Sequence, residues 1–223
     1  MERNFVMMRM MVMVVMMATL MRYPSSVVRC ADPDPLEDFA AASFALRNIF
    51  ANATVTKSDG GVRAVVGPKH LRVQSHQGVS IARYLIEPCG LDPPQTHPRA
   101  TELITLLAGG PLLVGFVDSS IGQLRSNVLQ ANDVAVFPRG LLHFMQNVGN
   151  TTASIFSVFN SESPGVLVSS VGLFRLPEEV VAGAMNQSPK VVKHINKTMY
   201  NAGPSLIMIS QESGCVPGRT YPK

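Results

Sequence analysis

Three residues of this 223-residue chain have the types and placement to hold a metal ion. His97 and Glu102 lie close together in PPQTHPRATE, behind a Pro93-Pro94 pair that reads as a turn. His143 lies in PRGLLHFMQN, just past VAVFP and a tight turn over residues 138–140. Two imidazoles and one carboxylate on rigid strands are enough to hold a divalent first-row metal with open coordination positions. Gln95 stands where a histidine would complete a His-x-His pair with His97. Its amide oxygen is a neutral and weaker donor than an imidazole nitrogen, but an oxygen-accepting ion such as manganese still takes it. Any one of these side chains alone would be an ordinary polar residue. The case rests on a fold that brings two distant segments together.

The surrounding sequence supplies such a fold. Short apolar stretches read as strands: VSIARYLIE (79–87), ELITLLA (102–108), PLLVGFVD (111–118), VAVFP (134–138) and TASIFSVFN (152–160). Turn signals separate them at Gly109-Gly110, over 118–122 and over 131–133. Many short strands with turns at this spacing favour a small antiparallel barrel or sandwich. We assign residues 61–165 to it. Residues 31–60 read as an N-terminal arm that opens with the proline-spaced ADPDPLEDF, with a short helix or ordered loop over 40–50. Residues 166–200 read as C-terminal helices. One starts at Ser188-Pro189, serine as N-cap and proline in the first turn, with Val191, Val192 and Ile195 on its apolar face. Another opens at Pro177-Glu178-Glu179, with Val180, Val181 and Ala184 inward. Such faces need a cover, for which a neighbouring subunit serves. The Gly/Pro/Ser-rich residues 201–223 read as an extended tail.

Composition excludes several function classes. The chain is 46% hydrophobic and 15% charged, so it can bury a core and is not a disordered chain. It lacks tryptophan and has few aromatic residues, which argues against base-stacking on nucleic acid. The net charge of +4 is mostly a property of residues 1–30, which hold four arginines and one glutamate. The rest carries 15 basic and 14 acidic residues, so a nucleic-acid partner is not expected. Within 1–30, Arg3 and Arg9 precede an apolar run over 10–21, the length of a signal-peptide core and too short for an ordinary membrane span. We therefore read 1–30 as a signal peptide, with no membrane span after processing. Four sequons fit a secreted glycoprotein, at Asn52, Asn150, Asn186 and Asn196, with Asn186 the least favourable because Pro189 follows it. Cys89 and Cys215 then remain. Two alternatives stand for them, a disulfide within or between subunits, or two free thiols. His70, His76 and His194 read as ordinary surface histidines. LAGGPL lacks the lysine and hydroxyl of a phosphate loop, and no serine sits in a nucleophile elbow.

The two metal-ligand segments resemble the paired motifs of the cupin superfamily, and of germin-like proteins in particular. PPQTHPRATEL, VGFVD, VFPRGLLHFMQNVGN and NSESPGV all look like germin-like segments, and the resemblance runs from about Asp32 to about Lys197. It implies a mainly β protein, a cupin-type antiparallel β-barrel (jelly roll) with a C-terminal helical extension. It implies dimers through the barrels, assembled by the helices into a hexamer, a trimer of dimers. It also implies a secreted, apoplastic, often cell-wall-associated glycoprotein with Mn(2+) in the barrel and roles in defence or the cell wall.

The departures bear on activity. The resemblance expects three histidines and a glutamate as ligands, and this chain keeps His97, Glu102 and His143, with Gln95 as a weak fourth. The motif glycines are replaced by Cys89 and Asn132, while Gly109, Pro138, Gly140 and Asn147 keep the pattern. Paired cysteines expected in the N-terminal arm are missing, with Ala40 at the first position. Two asparagines that hold oxalate in the oxalate-oxidising germins correspond to Asp92 and Ala82. A carboxylate repels a dianionic substrate, and alanine offers it no hydrogen bond. The expectation is a structural or defence-associated protein with a weakened manganese site and no oxalate oxidase activity. The enzymatic alternative is superoxide dismutation, which needs only an open redox metal.

Overall fold

The computed structural model of the protein describes residues 44–198, 206–208 and 214–218. The segment read as a signal peptide and the proline-spaced start of the arm, through residue 43, lie outside the described residues. A short helix α1 (Ile49–Asn52) leads into one antiparallel ten-stranded sheet: β1 (Thr54–Ser58), β2 (Gly61–Val66), β3 (Ser80–Ile86), β4 (Gly90–Thr96), β5 (Glu102–Asp118), β6 (Gln123–Leu129), β7 (Val134–Phe137), β8 (His143–Phe159), β9 (Leu167–Val168) and β10 (Ile207–Met208). Helices α2 (Ser169–Leu173), α3 (Glu178–Met185) and α4 (Pro189–Thr198) fall between β9 and β10. The order β1-β2-β3-β8-β4-β10 forms one run, and β5 pairs with β6, β7 and β8. The architecture is a curled, mainly β barrel fold with helices near the C-terminus, as the motifs imply.

The inward face follows the period-2 rule of a pleated strand. In β3, Ser80, Ala82, Tyr84 and Ile86 are buried and the residues between them are not. Ala82, Tyr84 and Ile86 meet Ile104, Leu106, Leu112, Met145, Ile155 and Phe159 in the main core cluster. Burial of this apolar surface is the main driving force for closing the barrel.

Several elements differ from the sequence reading, each for a local reason. Gly109-Gly110 is not a turn between two strands. It lies inside the continuous 17-residue β5. The register against β8 shifts three times between Leu106 and Leu112, so β5 bends across β8 instead of turning back. The bend needs glycine. Gly109 has φ +75°, a Cβ there would strike the carbonyl of Thr152, and one on Gly149 would strike the carbonyl of Gly110. TASIFSVFN is likewise only the second half of the long β8. Pro93-Pro94 is not a turn either, but sits within β4 at an irregularity in its pairing with β8. β1, inside the segment read as an arm, belongs to the sheet and pairs with β2 from Thr54 to Ser58.

The helices start where the sequence places them, and the Ser188 hydroxyl accepts a hydrogen bond from Val191 N. Their faces are narrower than read. Val181, Ala182 and Val192 form a small second cluster with Leu173 and Phe174, whereas Val180, Ala184 and Val191 stay exposed. The reason is that α3 and α4 pack on each other through one seam, which leaves the flanking valines outside it.

Cys89 and Cys215 form a disulfide within the chain, which settles the two alternatives left for them. The described part of the C-terminal tail is tied to the barrel. Ile207 and Met208 pair with Leu91 and Gly90 of β4, and Leu206 enters the main core at 1% exposure. The bridge closes a separation of 126 residues, for which chain entropy predicts a contribution of about 5 kcal/mol. We expect Cys215→Ser to lower the denaturation midpoint in urea, with a loss of unfolding free energy within that ceiling, and to open the tail to limited proteolysis. Equal midpoints for variant and wild type would show that β10 and Leu206 hold the tail alone.

Candidate metal centre

Each candidate ligand sits at a strand end. His97 follows β4 directly, Glu102 opens β5 and His143 opens β8. The bent β5 and the curled sheet bring these ends together inside the barrel. Glu102 Oε2 is 3.2 Å from His97 Nε2 and 3.4 Å from His143 Nε2. All three side chains are buried, and one ligand atom from each lies within 4.8 Å of the others.

The second ring nitrogen of each histidine is tied to a backbone carbonyl. His97 Nδ1 is 2.6 Å from Gly165 O, and His143 Nδ1 is 2.8 Å from Leu141 O. A carbonyl only accepts, so each Nδ1 carries the proton and donates it. Each Nε2 then faces Glu102. This is the arrangement by which an outer partner fixes tautomer and ring orientation for a metal-binding histidine. Aromatic rings hold the imidazoles from the sides. Phe137 stacks on His143 at 4.6 Å between centroids, and Phe159 meets His97 edge-on at 4.9 Å.

The carbonyl that holds His97 comes from NSESPGV, whose sequence alone discloses no role. Arg99 clamps this loop through Nε to Ser163 O at 2.6 Å and Nη2 to Ser163 Oγ at 3.2 Å. Gly165 has φ +70°, and an added Cβ would crowd Arg99 and Pro98. At the two motif positions where glycine is expected, the backbone keeps the glycine-type conformation. Cys89 has φ 63° and Asn132 φ 75°. Asparagine tolerates this region, while cysteine there is uncommon.

Gln95 and Asp92 also point into the barrel. Three residues apart on a regular strand, they would face opposite sides. The irregularity at Pro93-Pro94 turns both inward, at 0% and 1% exposure. Gln95 Nε2 donates to Asp92 Oδ2 at 2.7 Å. Gln95 is also the direct cross-strand partner of His143. Among the buried side-chain atoms with no hydrogen-bond partner, six belong to these residues: Gln95 Oε1, Asp92 Oδ1, both Glu102 oxygens and the Nε2 of His97 and His143. Native interiors rarely leave such a group unpaired, and here six do so in one small region. The donor set fits a divalent cation: two imidazoles that can each offer Nε2, a carboxylate, and the buried amide oxygen of Gln95 on the same inward face.

In the metal-free protein the carboxylate favours a protonated imidazole, whose Nε2 then faces it as a donor, and a bound cation would take the place of that proton. Burial pushes the Glu102 carboxyl up, but the two imidazoles outweigh it and hold it down at about 2. Burial pulls His143 down, and its contact with Glu102 reverses this to a net rise. Asp92 goes the other way. Burial, together with the Glu102 charge, raises it to about 6 against the pull of Arg63.

The remaining residues singled out in the sequence lie elsewhere. The four sequon asparagines are all exposed. Ala82 is fully buried in the core. His70 is occupied by Gly67 N and by the Thr54 hydroxyl, away from the site. No helix among the described residues is long and apolar enough to cross a membrane.

Residues 47–193 match the cupin family model. The chain is 35% identical to germin-like protein subfamily 1 member 7 of Arabidopsis thaliana, over 80% of this chain and 90% of that protein. It is 34% identical to germin-like protein 5-1 of Oryza sativa subsp. japonica, over 86% and 95% respectively. Among solved structures it resembles an oxalate oxidase with a TM-score of 0.66 and 31% identity, covering 77% of this chain and 87% of that one.

The Asp92 shift carries a stability consequence for the metal-free protein. A folded-state value near 6 against 3.8 unfolded means that folding favours the protonated form. The ionised group therefore costs on the order of 2–3 kcal/mol at neutral pH, and the cost fades as pH falls through about 6 toward 3.8. Asp92→Asn should raise the thermal midpoint of metal-free protein at pH 7.5, with little gain left at pH 4. A lower midpoint at pH 7.5 would contradict this.

Proposed function

Since the chain belongs to the germin-like proteins of the cupin family, we propose that it is a secreted, apoplastic, oligomeric germin-like protein that holds manganese in a weakened barrel site. Its role would lie in defence or the cell wall. The observation that carries this reading is the buried triad of His97, Glu102 and His143, whose metal-facing atoms have no hydrogen-bond partner. His97, Glu102 and His143 would hold the ion, with Gln95 Oε1 as a weak fourth ligand. A bound manganese ion would supply a Lewis-acidic, redox-capable centre. The chain's own residues orient the imidazoles through Gly165 and Leu141 and exclude water with Phe137 and Phe159.

Oxalate oxidation is not part of this proposal. Ala82 offers no hydrogen bond to a substrate, and Asp92 already engages Gln95 through one oxygen. Its negative charge repels a dianion in a low-dielectric interior. Superoxide dismutation is the second reading, favoured because three protein ligands leave open positions and no substrate-holding residue is required.

Purified native protein grown with manganese should carry close to one manganese per chain, and His97→Ala should remove it. A stoichiometry near zero in the native protein rejects the reading. Metal-loaded protein should release no peroxide from oxalate. If Gln95→His dismutes superoxide and the natural protein does not, the natural site is too weak for that chemistry.

Assembly is proposed on the exposed apolar surface. Leu103 and Val136 are cross-strand partners on the outer face of β5 and β7, at 42% and 49% exposure, and Val134 beside them is 57% exposed. Val180 and Val191 lie exposed on the helices. Such surface suits self-association, in a hexamer built as a trimer of dimers. Glycans are proposed at the exposed Asn52, Asn150, Asn186 and Asn196. Val136→Lys should shift the protein to smaller species in analytical ultracentrifugation, and an unchanged mass would place the interface elsewhere.

A further inference from the structure

The two departures at Gln95 and Asp92 look like independent losses in the sequence, one of a ligand and one of a substrate contact. In the structure they are hydrogen-bonded to each other at 2.7 Å, inside the barrel, and both are buried. We propose that Asp92 is a positioning residue of the metal centre, which holds the Gln95 side chain so that its oxygen, not its nitrogen, faces the triad. The inference rests on the reading of His97, Glu102 and His143 as a metal site.

A free glutamine amide presents either end with similar ease. One end donates two hydrogens and the other accepts, and only the oxygen can coordinate a cation. An ionised carboxylate accepts and never donates. Whichever end of Gln95 meets Asp92 must therefore be the NH₂ group, and Oε1 is turned away from it. That oxygen is buried without a hydrogen-bond partner. Gln95 and His143 are direct partners across the β4–β8 ladder, so their side chains share the inward face as near neighbours. The backbone contributes as well. Only the irregularity at Pro93-Pro94 lets residues 92 and 95 face the same way. Asp92 itself is not among the residues that converge on the metal position, so it acts through Gln95.

A carboxylate near a cation would favour binding by charge alone, and the test must separate that from orientation. We would measure Mn²⁺ affinity by titration, with the EPR spectrum of bound Mn²⁺ as a second readout. The proteins are full-length wild type, Asp92→Asn, Gln95→Met and the double variant. Asparagine can donate as well as accept, so it no longer dictates which end of Gln95 it meets. Methionine keeps the length of Gln95 and removes its amide. Losing an outer partner of a ligand costs about 10- to 100-fold in affinity. We expect Asp92→Asn to lose affinity in that range in the Gln95 background, to alter the Mn²⁺ EPR spectrum, and to cost little further in the Gln95→Met background. An undiminished loss in the Gln95→Met background would show that Asp92 acts only by charge and would overturn the proposal.

A metal-free measurement keeps the two readings apart. The side-chain NH₂ of Gln95 in ¹⁵N-labelled wild type should show one slowly exchanging proton, and Asp92→Asn should release it. Fast exchange in the wild type would overturn the orientation whether or not metal binds. A protected amide in a wild type that takes up no Mn²⁺ would reject the metal site, and this role with it.

Discussion

A carboxylate with no exposed surface and no hydrogen-bond donor is among the costliest groups a protein can bury. Glu102 is such a group, and much of the local structure around it acts as compensation. Two imidazoles stand beside it, each turned by a carbonyl on its far side. One of those carbonyls belongs to a loop fastened by Arg99, and both rings lean on phenylalanines of the core. Even so, the compensation is incomplete, because neither carboxylate oxygen has a full hydrogen bond. The unbalanced remainder is where a cation fits. The same low-dielectric interior that raises the cost of the bare site strengthens its hold on a positive ion.

The sequence carried the ligands more clearly than their support. His97, Glu102 and His143 announce themselves by residue type and motif context. The barrel is visible in the alternation of strands such as SIARYLI. The parts that were not legible depend on the chain departing from regular geometry. Gly109-Gly110 spells a turn in any local reading, because only the crossing with Gly149 reveals that the glycines permit close approach of two strands. The Gln95–Asp92 contact is forbidden on an ideal strand and exists because of a pairing irregularity. The Cys89–Cys215 bridge joins residues whose separation in sequence says nothing of their distance in space. Amphipathic periodicity places the helices but does not say how wide a face their partner covers, so Val180 and Val191 belong to the apolar stripe yet lie outside the seam.

The interior is also more polar than its strand pattern suggests. Arg63 and Tyr84 are cross-strand partners on the inward face, with the guanidinium 5.8 Å from the ring centroid. Arg63 partly offsets the negative charges of Asp92 and Glu102. Burial drives the Tyr84 hydroxyl upward, so it stays neutral and adds no further charge. The barrel therefore contains an apolar shell around a small charged centre, in which few single changes are electrostatically silent.

The pairing of β10 with β4 sets an order on how the chain can be completed as it is synthesised. β4 carries the first ligand segment and emerges early. One of its neighbours, β8, comes about fifty residues later, and β10 arrives only near the C-terminus. β9 covers β4 at Gln95 and Thr96, but until β10 arrives the Gly90–Leu91 end keeps an open edge that can recruit the wrong strand. A ribosome that has released Glu102 and His143 has thus made every ligand but not a closed barrel. The ligands come from the middle of the chain, whereas the strand that pairs with the start of β4 is Ile207–Met208, so loss of that strand would expose Gly90 and Leu91, far removed from it in sequence.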